Sequence, residues 1–248
     1  MTSAAPAGPA DVDATAHVFV ESLDDTCEIS GDDGHHLQRV RRVDAGELVT
    51  AADDTGAWRL YEVARVGAAR LTLHARGEPF RAEEPAVGVE LAVALLKHGL
   101  DDVVAAVTEL GVARITLVRT ARCVVRWDDA RAAKAVERLQ VIAREASMQS
   151  RRACIPRVVG VRGIDELAAR PGLLIADRAG IGVAELPLPE PPGWTVLVGP
   201  EGGLARDDLE SLPAAPRLAL GPHVLRAVTA PIAAVAVLAA RAAAGPHQ

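Results

Sequence analysis

Two glycine-containing segments near the C-terminus have the residue types and spacing of a ligand-binding site. The first glycine turn is Gly199–Gly203 (Gly-Pro-Glu-Gly-Gly), and the second glycine turn is Leu220–Arg226 (Leu-Gly-Pro-His-Val-Leu-Arg). Each follows a strand-like apolar run and precedes a helix-like run. Glycine at such a turn lets backbone N–H groups approach a ligand, because no Cβ intervenes. Two such turns on adjacent strands predict a backbone-lined cleft that suits a small polar cofactor.

The first glycine turn lacks the features of a nucleotide phosphate site, since it has neither GxGxxG spacing nor the lysine of a P-loop. Glu201 would repel a phosphate and suits a cationic or neutral ligand, such as the sulfonium of S-adenosylmethionine. The alternative is an ordinary turn followed by a helix whose N-terminus is stabilised by Asp207 and Asp208. The cleft is favoured because both turns follow strands of one α/β domain, where open sheets bind ligands.

The charge of the chain is acidic overall but locally basic. The formal net charge of −6 argues against a generally basic nucleic-acid-binding protein. Arginines nevertheless cluster in residues 39–42, 114–126 and 144–157. Such clusters are compatible with RNA phosphates contacted over a limited footprint, because the guanidinium group pairs bidentately with phosphate. Solvated surface faces are the alternative.

Cysteine usage and hydropathy indicate a cytoplasmic protein. The cysteines Cys27, Cys123 and Cys154 are widely spaced and form no CxxC motif, which predicts a reducing compartment and no metal. The N-terminus lacks the charged and apolar regions of a signal peptide. The longest apolar run, residues 227–240, is short for a membrane span and predicts a buried helix. We therefore expect no association with a membrane.

Composition and patterning divide the chain into four parts. They predict a flexible tail over residues 1–14, a small β-rich domain over 15–75, a linker over 76–88 and an α/β domain over 89–248. In the last part strands alternate with helices, which indicates a parallel sheet covered on both faces. Asp53–Gly56 predicts a hairpin turn within the β-rich domain.

Helix signals are clear at several places. A short helix is expected over 33–43, and Asp101 is expected to cap a helix that ends before Gly111. Apolar residues at helical spacing predict a long helix from Asp128 or Asp129 to Met148, and a closing helix is expected over 224–244.

The two glycine turns and their flanking residues closely resemble the 16S ribosomal RNA (uracil-N3)-methyltransferases of the SPOUT superfamily. Other segments resemble the same family in order and at matching spacing, so that the resemblance covers nearly the whole chain. These segments are His35–Arg42, Thr108–Val112, Arg122–Val124 and Arg144–Arg152.

The resemblance implies a fold, a reaction and partners. The fold would be a C-terminal SPOUT-type parallel sheet with a deep trefoil knot, formed by loops after strands that end near Ile175, Val198 and Leu220, and an N-terminal PUA-like β-barrel that helps to hold RNA. The protein would be a homodimer that uses S-adenosylmethionine to methylate N3 of a uridine. The substrate would be 16S rRNA in the 30S subunit. No metal is implied.

The resemblance also implies roles for individual residues of this chain. Those expected to bind the cofactor are Gly199, Pro200, Glu201, Gly202, Gly203, Leu220, Gly221, Val224, Leu225, Arg226 and Thr229. Those expected to contact the substrate as catalytic residues are Arg122, Gln149 and Arg152. Those expected to bind RNA are His36, Arg39, Arg42, Arg122 and Arg126. No general base is assigned, and Glu201 and solvent both remain open.

Several of these residues have a structural alternative. Arg122 could be a solvated loop charge, and Gln149 and Arg152 could cap the C-terminus of the long helix. Arg226 could form an ion pair with Glu201.

One position departs from the family pattern. The family's last motif usually reads Leu-Arg-x-Glu-Thr-Ala, and Val228 stands at the glutamate position. Valine cannot accept a proton, so any catalytic role of that glutamate does not transfer. Two other functions stay open: a SPOUT methyltransferase acting on a ribose 2′-hydroxyl or another base, and a non-catalytic rRNA-binding assembly factor, which Val228 alone supports.

Overall fold

The computed structural model describes residues 6–39, 42–68, 70–83, 87–212 and 214–244, except for the side chains of His36 and Arg39. Contacts divide the chain into two units. The N-terminal unit comprises Met1–Glu84 and Ser147–Ile155, and the C-terminal unit comprises Pro85–Ala146 and Pro156–Gln248. The segment Ser147–Ile155 therefore belongs with the β-rich part, although the sequence assigns it to the α/β domain.

The N-terminal unit is built on a six-stranded mixed sheet. Its elements in chain order are β1 (Ala16–Phe19), β2 (Thr26–Ser30), α1 (Gly31–Arg39), β3 (Leu48–Ala52), β4 (Ala57–Gly67), β5 (Arg70–Ala75) and β6 (Phe80–Arg81). The strand order is β1-β3-β4-β5-β2, and β6 pairs with β4. β1 runs parallel to β3, whereas the other neighbours are antiparallel.

The core of this unit forms because apolar side chains alternate along the strands. Val49, Tyr61, Val63 and Leu71 are fully buried, and burial of each such side chain contributes about 1.5–3 kcal/mol. The predicted hairpin at Asp53–Gly56 is confirmed, since β3 and β4 pair up to Ala52 and Trp58 on either side of it.

The boundaries of the predicted tail and linker differ from the structure. Strand β6 lies inside the predicted linker, because Phe80 stacks on the buried Trp58 with ring centroids 4.9 Å apart. Within the predicted tail, Pro9–Asp11 forms a 3-10 turn, and the carbonyl oxygens of Val12 and Ala14 accept hydrogen bonds from Arg151. The end of that segment is thus tied to the N-terminal unit.

The C-terminal unit is built on a six-stranded parallel sheet, which confirms the predicted α/β class. Its elements are β7 (Gly88–Ala94), α2 (Leu100–Glu109), β8 (Arg114–Arg119), α3 (Asp129–Gln149), β9 (Arg157–Gly163), β10 (Leu173–Gly182), β11 (Gly193–Val198), α4 (Arg206–Glu210), β12 (Arg217–Ala219) and α5 (Thr229–Ala243), with the end of α3 in the N-terminal unit. The strand order is β12-β10-β11-β7-β8-β9. Every residue of β11 is buried, as expected for a strand covered on both faces.

Three helix boundaries differ from prediction. α1 spans Gly31–Arg39. Gly99, with φ of +76°, caps α2 through its backbone, so Asp101 lies in the first turn and accepts a hydrogen bond from Arg138. α5 begins at Thr229, five residues later than predicted, because the second glycine turn stays non-helical. Within the described part of the chain, every helix is too short or too polar to cross a bilayer.

Candidate functional site

A cleft of about 310 Å³ opens at the carboxyl ends of β11 and β12 and at the point where the first part of β10 ends, at Ala176. Both glycine turns contribute to its walls, as the sequence predicts. The lining residues that were expected to bind the cofactor are Gly199, Pro200, Gly203, Leu220, Gly221, Val224 and Leu225. The carboxyl ends of parallel strands are where open α/β sheets bind ligands.

The remaining expected cofactor residues, Glu201, Gly202, Arg226 and Thr229, lie outside this lining. Glu201 Oε1 accepts a hydrogen bond from the backbone N–H of Lys97 (3.1 Å), which ties the first glycine turn to the loop after β7. The carbonyl of Arg226 accepts hydrogen bonds from the N–H groups of Thr229 and Ala230, both at 2.9 Å, and so starts α5. No ion pair joins Arg226 to Glu201 among the described residues.

The first glycine turn needs glycine at two positions. The N–H of Gly203 donates to the carbonyl of Pro200 (2.8 Å) with φ of +69°, a conformation that few other residues adopt. A Cβ on Gly199 would lie 3.1 Å from Leu204 Cγ, closer than most such contacts. The two glycines keep the turn compact at the end of β11.

The loop after β8 is fastened to the first glycine turn. Arg122 Nη1 donates to the carbonyl of Gly202 (2.9 Å). The buried carboxylate of Asp208 accepts hydrogen bonds from the N–H groups of Ala121 (3.0 Å) and Ala205 (2.8 Å). The sequence points to Asp208 only as a stabiliser of the next helix, whereas here its carboxylate also joins two loops of the site.

A bulge in β10 brings two charged residues to the cleft that sequence reasoning missed. Ala176 and Ile181 both pair with Leu218 of β12, so Asp177–Gly180 leave the ladder. Asp177 and Arg178 line the cleft. Asp177 is braced by Arg217 Nη1 (2.8 Å) and by the N–H of Ala179 (2.9 Å). The sequence feature that could have predicted this bulge is a strand-like run that ends at Ala176 and is followed directly by polar residues and a glycine.

Close packing fixes the end of the bulge. A Cβ on Gly180 would lie 2.4 Å from the backbone carbon and oxygen of Arg217, where no side chain fits. Gly180 therefore lets β10 return against β12 directly before the second glycine turn.

The cleft combines apolar walls with free backbone groups. Ile175, Val198 and Leu225 supply apolar surface. Among the described residues, the N–H groups of Gly221 and Leu225 have no backbone hydrogen-bond acceptor. Gly221 has φ of +142°, and a Cβ there would meet no atom within 4 Å. The walls fit a ligand that has both a flat aromatic ring, whose faces pack on apolar surface, and polar groups, which S-adenosylmethionine provides.

Gly221→Ala is expected to weaken binding of S-adenosylmethionine by about 10-fold or more, because alanine is strained at this φ and the turn that lines the cleft would have to change its backbone conformation. The matched control is Gly111→Ala after α2, outside the cleft lining, where φ is +88° and a Cβ would likewise meet no atom within 4 Å. Isothermal titration calorimetry checks the pair. Equal affinities would contradict a site formed by the backbone of the second glycine turn.

Two of the three expected catalytic residues lie in the N-terminal unit, whereas Arg122 lies in the C-terminal unit. Gln149 is the last residue of α3. The backbone N–H of Arg152 donates to the carbonyl of Ser147 (2.9 Å) and closes the helix end. The capping alternative thus holds for the backbone of Arg152.

The carbonyl of Arg152 accepts a hydrogen bond from a buried histidine. His17 Nε2 lies 2.9 Å from that oxygen, and Nδ1 lies 2.8 Å from Thr50 Oγ1. The pKa of His17 is lowered from 6.5 to about 4, mainly by burial; the bond to the Arg152 carbonyl opposes this shift, and the charge of Arg151 adds to it. His17 is therefore neutral at pH 7.

Neutral burial of His17 predicts a loss of stability in acid. Between pH 6.5 and about 4 the unfolded chain binds a proton on His17 that the folded chain does not. The free energy of unfolding should therefore fall as pH falls through this window, by at most about 3 kcal/mol from this group. Urea unfolding of the wild type and of His17→Gln across the window measures the effect, and parallel curves for the two proteins would contradict it.

Three of the expected RNA-binding residues have side chains within the described part of the chain. Arg42, Arg122 and Arg126 are exposed. The side chains of His36 and Arg39 lie outside the described part. Exposed guanidinium groups are available to phosphates.

Val228, which replaces the usual glutamate, packs on the start of α2. A Cβ on Gly99 would lie 2.6 Å from Val228 Cγ1, so glycine at 99 leaves the room that the valine fills. The side chain is half-buried directly before α5. Val228 thus has a packing role in this chain.

Comparison with known families agrees with this site. Residues 82–239 match the family model described as an RNA methyltransferase domain, and residues 29–74 match the one described as an RNA methyltransferase PUA domain. Together with the cleft, these matches define the class as an RNA methyltransferase with a PUA domain. The chain belongs to the family of ribosomal RNA small subunit methyltransferase E.

Individual relatives cover nearly the whole chain. Ribosomal RNA small subunit methyltransferase E of Mycobacterium bovis is 34% identical over 90% of this chain and 92% of its own length. The Bacillus subtilis protein of the same name is 28% identical over 86% and 89%. The crystal structure of the Neisseria gonorrhoeae protein, bound to S-adenosyl methionine, has a TM-score of 0.78 and 27% identity over 89% of this chain and 95% of its own.

Proposed function

We propose that this protein transfers a methyl group from S-adenosylmethionine to N3 of a uridine in 16S rRNA. The observation that carries the proposal is the glycine-lined cleft at the carboxyl ends of β11 and β12, beside the bulge of β10. It occurs in a chain whose relatives are ribosomal RNA small subunit methyltransferases, one of them solved with this cofactor bound.

The cofactor would be held mainly by backbone. Gly199, Gly203 and Gly221 would let the main chain approach it, and Leu225 and Ile175 would pack on the faces of its adenine ring. When bound, S-adenosylmethionine supplies an electrophilic methyl group on its sulfonium. Among the described lining residues Arg178 is the single arginine or lysine, beside His223 and the acidic Asp177, so the cleft lacks the cluster of positive charge that a phosphate-rich cofactor needs.

The chemistry of uracil sets what the protein must provide. N3 carries a proton at neutral pH and is engaged in a paired base, so the target must be unpaired or flipped out. We assign substrate contact to Arg122, Gln149 and Arg152. A guanidinium close to O2 or O4 would stabilise the negative charge that the base gains when N3 loses its proton. Holding the base in line with the methyl group would supply much of the rate.

The proposal also covers the chain topology around the cleft, the oligomeric state and the contacts with RNA. We infer a trefoil knot around the cleft and a homodimer whose active site is completed across the interface, on the resemblance of the glycine turns. The PUA-like part would hold RNA through His36, Arg39 and Arg42, with Arg126 adding a contact from the C-terminal unit. The substrate would be the 30S subunit in the cytoplasm, with no metal required.

The decisive experiment is mass spectrometry of 16S rRNA from a strain that lacks this protein. We expect one N3-methyluridine to be missing and to return when the wild-type gene is supplied. Loss of a ribose methyl or of another methylated base would instead support a different SPOUT target. Calorimetric titration of the purified protein with S-adenosylmethionine separates these outcomes from a non-catalytic assembly factor, which would show no binding.

A further inference from the structure

The backbone turn after α3 is held in an unusual conformation. Arg151 has φ of +57°, a region where non-glycine residues are uncommon and where glycine or asparagine normally ends a helix. The side chain of Arg151 donates to the carbonyl oxygens of Val12 (2.8 Å) and Ala14. These bonds keep an arginine where backbone preference alone would select glycine.

A second anchor acts on the next residue. His17 is 3% exposed, and its ring lies between Thr50 Oγ1 and the carbonyl oxygen of Arg152. A carbonyl oxygen can only accept, so Nε2 carries the hydrogen and donates to it. Nδ1 then accepts from the hydroxyl of Thr50. The bonding pattern thus fixes one tautomer and one ring orientation.

A third bond holds the far end of the segment. Asp54 Oδ1, in the hairpin turn between β3 and β4, accepts from the backbone N–H of Ile155 (2.6 Å). Asp54 itself has φ of +64°. Residues 151–155 are therefore fastened at three points to the lead-in of β1, to β1 itself and to the β3–β4 hairpin, all within the N-terminal unit.

We propose that His17 and Arg151 are positioning residues, which fix the turn so that Gln149 and Arg152 present their side chains to the RNA base in one orientation. The inference rests on the proposed function, in which Gln149 and Arg152 contact the substrate. Neither His17 nor Arg151 touches the substrate in this proposal. They act through the backbone, and a small displacement of a contact residue is enough to lower a rate by about 100-fold.

The test measures transfer of radiolabelled methyl groups to 30S subunits from the strain that lacks this protein. The full-length variants are Arg151→Gly, His17→Leu and His17→Gln, with Arg70→Ala as a control on an exposed ion pair of the same sheet. Arg151→Gly and His17→Leu should lower kcat by about 10-fold or more, with Kd for S-adenosylmethionine changed less than about 2-fold. His17→Gln keeps a donor for the carbonyl of Arg152 and should recover most of kcat.

Arg151→Gly separates positioning from simple stability. Glycine relieves the φ strain, which offsets the loss of the two hydrogen bonds of the Arg151 side chain, so Tm should change little while kcat falls. Normal kcat in Arg151→Gly would overturn the proposal, as would a His17→Gln protein that folds but is as slow as His17→Leu. If His17→Leu does not fold, Arg151→Gly decides alone. Failure of the proposed function would give results that differ from failure of the positioning role. Either the wild type would methylate no N3 position, or Arg152→Ala would retain full activity.

Discussion

Gly180→Ala is expected to lower the affinity for S-adenosylmethionine by about 100-fold and to destabilise the C-terminal unit by about 1–3 kcal/mol. The added methyl group would lie 2.4 Å from the backbone of Arg217, which cannot move aside as a flexible side chain could. β12 would have to shift, and the second glycine turn follows β12 directly. Calorimetric titration and thermal unfolding measure the two effects.

The matched control for this substitution is Gly160→Ala in β9 of the same sheet. A Cβ on Gly160 would make a 4.0 Å contact with Val136 Cγ2, an ordinary packing distance. Its affinity for the cofactor should equal that of the wild type. Normal binding by Gly180→Ala would show that the cleft does not depend on the close approach of β10 to β12.

Arg152→Ala is expected to reduce methyl transfer by about 100- to 1000-fold while leaving cofactor affinity nearly unchanged. The physical reason is the loss of a positive charge and of planar donors near a base that becomes negative as N3 is deprotonated. The described residues that line the cleft all belong to the C-terminal unit, whereas Arg152 belongs to the N-terminal unit. Single-turnover assays on 30S subunits and calorimetric titration of the cofactor give the two quantities.

Arg152→Lys is the informative companion, since lysine keeps the charge but not the planar pair of donors. Partial activity in the lysine variant would indicate that charge is the larger contribution. A large loss of cofactor affinity in Arg152→Ala would contradict a role in substrate contact.

The parallel sheet and the cleft could be predicted from sequence because their signals are local. An apolar run such as Val196–Val198, followed at once by Gly199–Gly203, specifies both a buried strand and a tight turn after it. The strand and turn positions therefore follow without knowledge of distant contacts. The same holds for the Asp53–Gly56 hairpin.

The features that could not be predicted from sequence depend on contacts between residues that are far apart in the chain. Glu201 stays a predicted cofactor residue, and its Oε1 also accepts a hydrogen bond from the N–H of Lys97, more than one hundred positions away in the chain, which no local pattern predicts. The β10 bulge depends on the fit of Gly180 against Arg217. Ser147–Ile155 belongs to the N-terminal unit because of hydrogen bonds that involve His17, Arg151 and Asp54. The spacing of apolar residues along the sequence does not predict such bonds.

The discontinuity of the N-terminal unit has a consequence for biosynthesis. Residues 1–84 leave the ribosome before the segment Ser147–Ile155 that completes their unit has been made. At typical synthesis rates of about 5–20 residues per second, the intervening chain delays completion by several seconds. During that interval His17 lacks its carbonyl acceptor on Arg152, and Phe19 and Trp58 lack the core cluster partner Ala153. The nascent chain is thus most exposed to chaperones and proteases in the middle of its synthesis.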